Sequence, residues 1–128
     1  MPSPLPPLPS PLSAEIARAG ARIRIGFPLW LRPLLLRGVV GITLGRRIFL
    51  APELLGRGEA RLEAVIRHEL AHVDQVRRLG LVRFLAAYVR EYLALRLRGL
   101  GHVAAYRAIS FEREARAAER DHGERGPI

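Results

Sequence analysis

Two histidines stand four residues apart, with a glutamate directly after the first, in RHELAHVDQ, residues 67–75. On a helix, residues i and i+4 lie one above the other with Cβ atoms about 5–6 Å apart. Two imidazole nitrogens can then converge on one metal ion at about 2.0–2.1 Å each. Glu69 is about 100° around the helix from His68, out of that shell but within reach of a water at the metal. Zinc lowers the pKa of such a water towards about 7, and a neighbouring carboxylate takes its proton as the hydroxide attacks a carbonyl. The five residues from His68 to His72 thus hold the parts of a metal site and its general base.

The helix that must carry them gives a second clue. Placing residues 62–79 at 100° intervals puts Leu62, Val65, Ile66, Leu70, Val73 and Val76 on one arc, expected to face the core. Glu63, Arg67, Asp74 and Arg78 fall together on a solvent arc. Glu69 breaks the sorting: it lies inside the apolar arc, with His68 and His72 on its flank. A carboxylate facing a core is costly unless it is paired, protonated or working. The bland alternative is a hydrogen-bonded core network of two histidines and a glutamate.

The chain has no cysteine, so a metal must be held by His, Asp or Glu, and no disulfide supports the fold. A helix is expected over about Glu59–Leu79 with Gly80 as its stop, a second over about Leu81–Arg98, and a third over about Phe111–Asp121 capped by Ser110. Upstream, SAEIARAG reads as a short helix started by Ser13 and stopped by Gly20. RIRIGF alternates like a half-buried strand, and VVGITLGRRIFLAP reads as two strands joined near Gly45 to Arg47. The expected fold is α+β: a small β-element, hairpin or short sheet, followed by three main helices, the first carrying the motif. Six prolines in the first eleven residues favour an extended tail over residues 1–13, ahead of a single domain over 14–128.

A third ligand is required. Asp74 lies on the solvent arc, and Glu91 reads as a surface charge beside Arg90. The third helix offers Glu112, Glu114 and Glu119. HELAHVDQ followed by FEREA resembles the glutamate-zincin (gluzincin) metallopeptidases, and more narrowly their small minigluzincin-like forms and uncharacterised HExxH peptidase-like domains. The resemblance covers roughly residues 40–119, and its specific part is these two short motifs. It implies Glu112, in Glu112-Arg113-Glu114-Ala115, as the third ligand, with Glu114 as the alternative. Related families often place an aspartate directly after that alanine, as partner to a histidine; Arg116 stands there. The resemblance also implies that an edge strand, here Gly41, Ile42, Thr43 and Leu44, lines the cleft and pairs with extended substrate.

The expected function is therefore a zinc metallopeptidase acting on peptide or protein substrates, with one Zn2+ held by His68, His72 and Glu112 and with Glu69 as general base. Tyr88, Tyr92, His102 and Tyr106 are the available stabilisers of an oxyanion. Two competing readings come from other classes: a catalytically silent, metal-stabilised binding or scaffold module, and an arginine-rich binder of nucleic acid or a membrane surface. The net charge of +9 comes entirely from arginine. No basic run is interleaved with aromatics, which argues against nucleic acid as the main partner. LVRFLAAYVREYLALRL is apolar but carries Arg83, Arg90, Glu91 and Arg96, so no transmembrane segment is expected. The amino terminus lacks the features of a secretion signal, and the expected compartment is the cytoplasm.

Overall fold

The computed structural model describes residues 5–34 and 39–124. The architecture is α+β. Helix α1 (Ser10–Ala19) leads into strand β1 (Arg22–Ile25), and the hairpin of β2 (Gly41–Leu44) and β3 (Arg47–Leu50) follows. Among the described residues a short 3-10 turn (Pro52–Arg57) and then four α-helices follow: α2 (Glu59–Leu79), α3 (Leu81–Leu97), α4 (His102–Ala108) and α5 (Ser110–Glu124). The sheet order is β1-β3-β2, with β1 parallel and β2 antiparallel to β3. This leaves β2 at an edge, beside α2.

Register sorts the sheet's two faces. Ile23 pairs with Ile48 and Ile25 with Leu50, and on the other side of β3 Thr43 pairs with Ile48 and Gly41 with Leu50. Because paired residues share a face, this inner set is the one that meets α2. Ile25, Ile48 and Leu50 join Leu62, Val65, Ile66 and Val73 in one buried cluster. Arg22, Arg24 and Arg47 occupy the opposite face and are exposed. The expected core arc of α2 is the buried one, with an addition: Gln75 is wholly buried too.

Three sequence expectations need correction. The proline-rich tail does not extend to residue 13, because α1 starts at Ser10, and Ser13 lies within the helix, its hydroxyl donating to the carbonyl of Leu8. Proline is tolerated in a helix's first turn, where its missing N–H has no partner to lose, and Leu12 gains a fully buried place in the core. Leu5 and Leu8 pack partly against the same cluster, so these residues belong to the domain; residues 1–4 lie outside the described residues. A fourth helix, α4, also separates α3 from α5. At seven residues it is too short for apolar periodicity to show, and His102 is its first residue. Finally, the cap of α5 comes from elsewhere: Glu91 of α3 accepts hydrogen bonds from both the backbone N–H and the hydroxyl of Ser110, at 2.7 and 2.8 Å.

The join between α2 and α3 is one residue. Gly80 has φ 85° and ψ 151°, a conformation essentially restricted to glycine. Its N–H donates to Val76 and its carbonyl accepts from Phe84, so it ends one helix and begins the next. Among the described residues no helix is long and apolar enough to cross a membrane.

Candidate metal centre

α5 packs along α2 and brings Glu112 onto the two histidines. His72 Nε2 lies 2.9 Å from Glu112 Oε1, and His68 Nε2 lies 3.2 Å from Glu112 Oε2. The imidazole rings are 5.0 Å apart between centroids and inclined at 72°. One ligand atom from each of the three residues lies within 4.8 Å of the others. Two ligands at about 2.0–2.1 Å in a tetrahedral shell are about 3.3 Å apart, so these spacings fit a single small dication.

The far nitrogens of both rings are held as well. His72 Nδ1 is 2.9 Å from Gln75 Oε1, while Gln75 Nε2 donates to the carbonyl of Phe111 at 3.0 Å. With the amide oriented by Phe111, its oxygen accepts from Nδ1–H, which leaves Nε2 facing Glu112. His68 Nδ1 has Glu119 Oε2 at 3.5 Å. Partners of this kind fix ring orientation and raise the basicity of a ligating histidine. Glu119 lies two turns beyond Glu112 on the same face of α5.

The electrostatics match a site built for positive charge. Burial disfavours charge on His72, but the hydrogen bond and charge of Glu112, with help from Glu69 and Gln75, outweigh it and raise its pKa to about 9. His68 is also raised: burial opposes, while Glu112 and Glu69 prevail. Burial pushes the Glu112 carboxyl upward, yet its bonds to the two histidines hold it far below the usual carboxylate range. A bound dication would take the place of the protons that this cluster otherwise collects.

Glu69 is buried beside the cluster and against the edge strand. Thr43 Oγ1–H donates to Glu69 Oε2 at 2.6 Å. Gly41 provides the room: a Cβ there would meet Glu69 Oε1 at 3.0 Å and Val65 Cγ1 at 3.2 Å. Burial raises the pKa of Glu69, and His72, Thr43 and His68 pull against it without reversing the direction. Phe84 and Phe111 close the far side; Phe84 meets His72 edge-on, with centroids 6.3 Å apart.

Not every candidate gathers here. Glu114, the alternative ligand, is exposed and accepts from Arg78 at 2.6 Å, because two residues along a helix is 200° away from Glu112. Tyr92 and His102 bond to each other at 2.7 Å and have no hydrogen bond to the histidines or glutamates of the cluster among the described residues. Tyr88 does belong, donating to Glu112 Oε1 at 3.2 Å. Burial and the charge of Glu112 push both Tyr88 and Tyr106 well above the usual phenol range, so both keep their protons. Gln75 was absent from the sequence-level candidates, although its place three residues after His72 puts the two side chains in contact on a helix.

Residues 37–80 are similar to the eCIS core domain. That domain is found in extracellular contractile injection systems. The matched third of the chain carries β2, β3 and the whole of α2, and hence Thr43, His68, Glu69, His72 and Gln75. Glu112 and Glu119 lie beyond it. No curated protein and no solved structure matches the chain.

Proposed function

We propose that this chain is a zinc-dependent metallopeptidase, hydrolysing peptide bonds in a peptide or protein substrate without a covalent intermediate. The observation that carries the reading is the pairing of a three-residue ligand set with a buried carboxylate outside that set, Glu69, held against an edge strand. A core network needs no such extra carboxylate. The resemblance of HELAHVDQ and FEREA to the gluzincins supports the same assignment.

His68, His72 and Glu112 would hold a dication, which would supply Lewis acidity to a substrate carbonyl and to a water. Glu69 takes a proton from the attacking water and passes it to the leaving nitrogen. Thr43 holds one oxygen of that carboxylate, which fixes the direction of the transfer. Tyr88 and Tyr106, with their protons retained, are the donors available to a developing oxyanion. β2 has a single strand neighbour among the described residues, so its other edge offers backbone N–H and C=O groups to an extended peptide. The proposed place of action is the cytoplasm.

The test is cleavage of a peptide library by zinc-loaded protein, run beside Glu69→Gln. The parent should cleave, and the variant should retain zinc and lose activity. An active Glu69→Gln enzyme contradicts the mechanism. One observation favours a second reading: the ligands join α2 to α5, so a metal here also cross-links two helices. A metal-stabilised binding module predicts equal zinc stabilisation of both proteins and cleavage by neither.

A further inference from the structure

The outward face of α3 is apolar and exposed along its whole length. Val82, Leu85, Val89, Leu93 and Leu97 are all exposed, Val82 at 81 % and Leu97 at 89 %. At 100° per residue these five fall within an arc of about 120°, turned away from Phe84, the helix's one buried residue. Single exposed leucines are ordinary, but a contiguous row of this length marks an interaction surface.

The charges around the row say what it fits. Arg83 and Arg90 run along one border, Arg96 interrupts the row near the other, and Arg98 follows its end; all four are exposed. The one acid of the helix, Glu91, is engaged by Ser110. A second copy of this face would therefore set arginine against arginine. An anionic surface meets the same pattern favourably, because arginine stems lie along apolar surface while their guanidinium groups reach phosphates.

We propose that α3 docks the protein, in the plane of the surface, on a membrane of anionic lipids. The apolar row enters the headgroup–acyl boundary, and Arg83, Arg90 and Arg96 contact lipid phosphates. Phe84 and Tyr88, on the other side of the helix, keep their contacts with His72 and Glu112. The inference does not depend on the peptidase reading.

The test is co-sedimentation of the full chain with vesicles of phosphatidylglycerol and with vesicles of phosphatidylcholine. It is run beside V89E/L93E and R83Q/R90Q, with circular dichroism confirming the fold. The parent should bind phosphatidylglycerol and leave phosphatidylcholine largely unbound, and V89E/L93E should lose binding. R83Q/R90Q should bind about 25-fold more weakly, at about fivefold for each arginine. Absence of binding to phosphatidylglycerol overturns the proposal. So does binding that survives V89E/L93E, which would report only the general charge of the chain. A parent that ignores vesicles but self-associates, and is made monomeric by V89E/L93E, assigns the face to a second copy instead.

Discussion

Glu112 keeps a full negative charge where burial alone would neutralise it; it is 2 % exposed. The two histidines make this possible, and the energetic consequence has a sign. In metal-free protein His72 is raised from about 6.5 to about 9, so folding binds a proton that the unfolded chain releases earlier. Its contribution is fully present below about pH 6.5 and is lost as the pH rises through about 9, on the order of 3 kcal/mol. Glu112, lowered by the same contacts, withdraws stability at the acid end. Metal-free protein is thus expected to lose denaturation midpoint between pH 6.5 and 9, and His72→Ala is expected to show a shallower slope, the remainder coming from His68. Gln75 is the second residue to test. Gln75→Leu leaves the His72 Nδ1–H and the Phe111 carbonyl unpaired, at about 2–4 kcal/mol, and should weaken zinc binding about 10- to 100-fold. Urea denaturation and zinc titration measure the two effects separately. Glu69, His68 and His72 were legible in the sequence because helical spacing alone fixes their relation. The contact of Gln75 with His72 also follows from helical spacing, but its anchor on the Phe111 carbonyl and the place of Glu119 beside His68 depend on where α5 lies, which no spacing within α2 reveals.

At the scale of elements, the site is a contact between one edge strand and two helices. Gly41 sets the distance between β2 and α2. Gly41→Ala forces a Cβ to within 3.0 Å of Glu69 Oε1, so either the strand lifts or the carboxylate turns. Because a shift of about 1 Å can cost about a hundredfold in rate, this variant should retain zinc and lose most of its peptidase activity; unchanged kcat would mean that the edge strand does not position Glu69. Gly80→Ala acts differently. It strains the join of α2 and α3 by about 1–3 kcal/mol, which a melting curve reads as lost stability. α2 ends at Leu79 as its pattern indicates, because a long amphipathic period and a glycine stop agree. The helix stopped by Gly20 was legible as well, but the start of α1 at Ser10 and the existence of α4 were not, for opposite reasons. The prolines of α1 fall where a helix tolerates them, while α4 is too short to show a period at all. The parallel pairing of β1 with β3 was also out of reach, because strand alternation says which face is buried and nothing about the neighbour.

Across the whole molecule, the proposed metal ties the last helix to the one that builds the core. α2 buries its apolar arc against the sheet, and α5 is held to α2 through Glu112, Gln75 with Phe111, and Arg78 with Glu114. Arg67 with Glu15, at 2.6 Å, fastens α1 to α2 on the other side. A ligand that binds only the folded state at a hundred times its dissociation constant adds about 2.7 kcal/mol. For a domain of this size that raises the melting temperature by about 10 °C. Zinc should produce this shift in the parent and none in Glu112→Gln, as read by differential scanning fluorimetry.

If His68, His72 and Glu112 hold a metal, metal content per chain shows it. Protein purified without chelator should carry about one zinc, and His72→Ala and Glu112→Ala should carry essentially none while remaining folded. A parent that neither contains nor takes up a divalent ion would contradict the account, and zinc retained by Glu112→Ala would remove its third ligand.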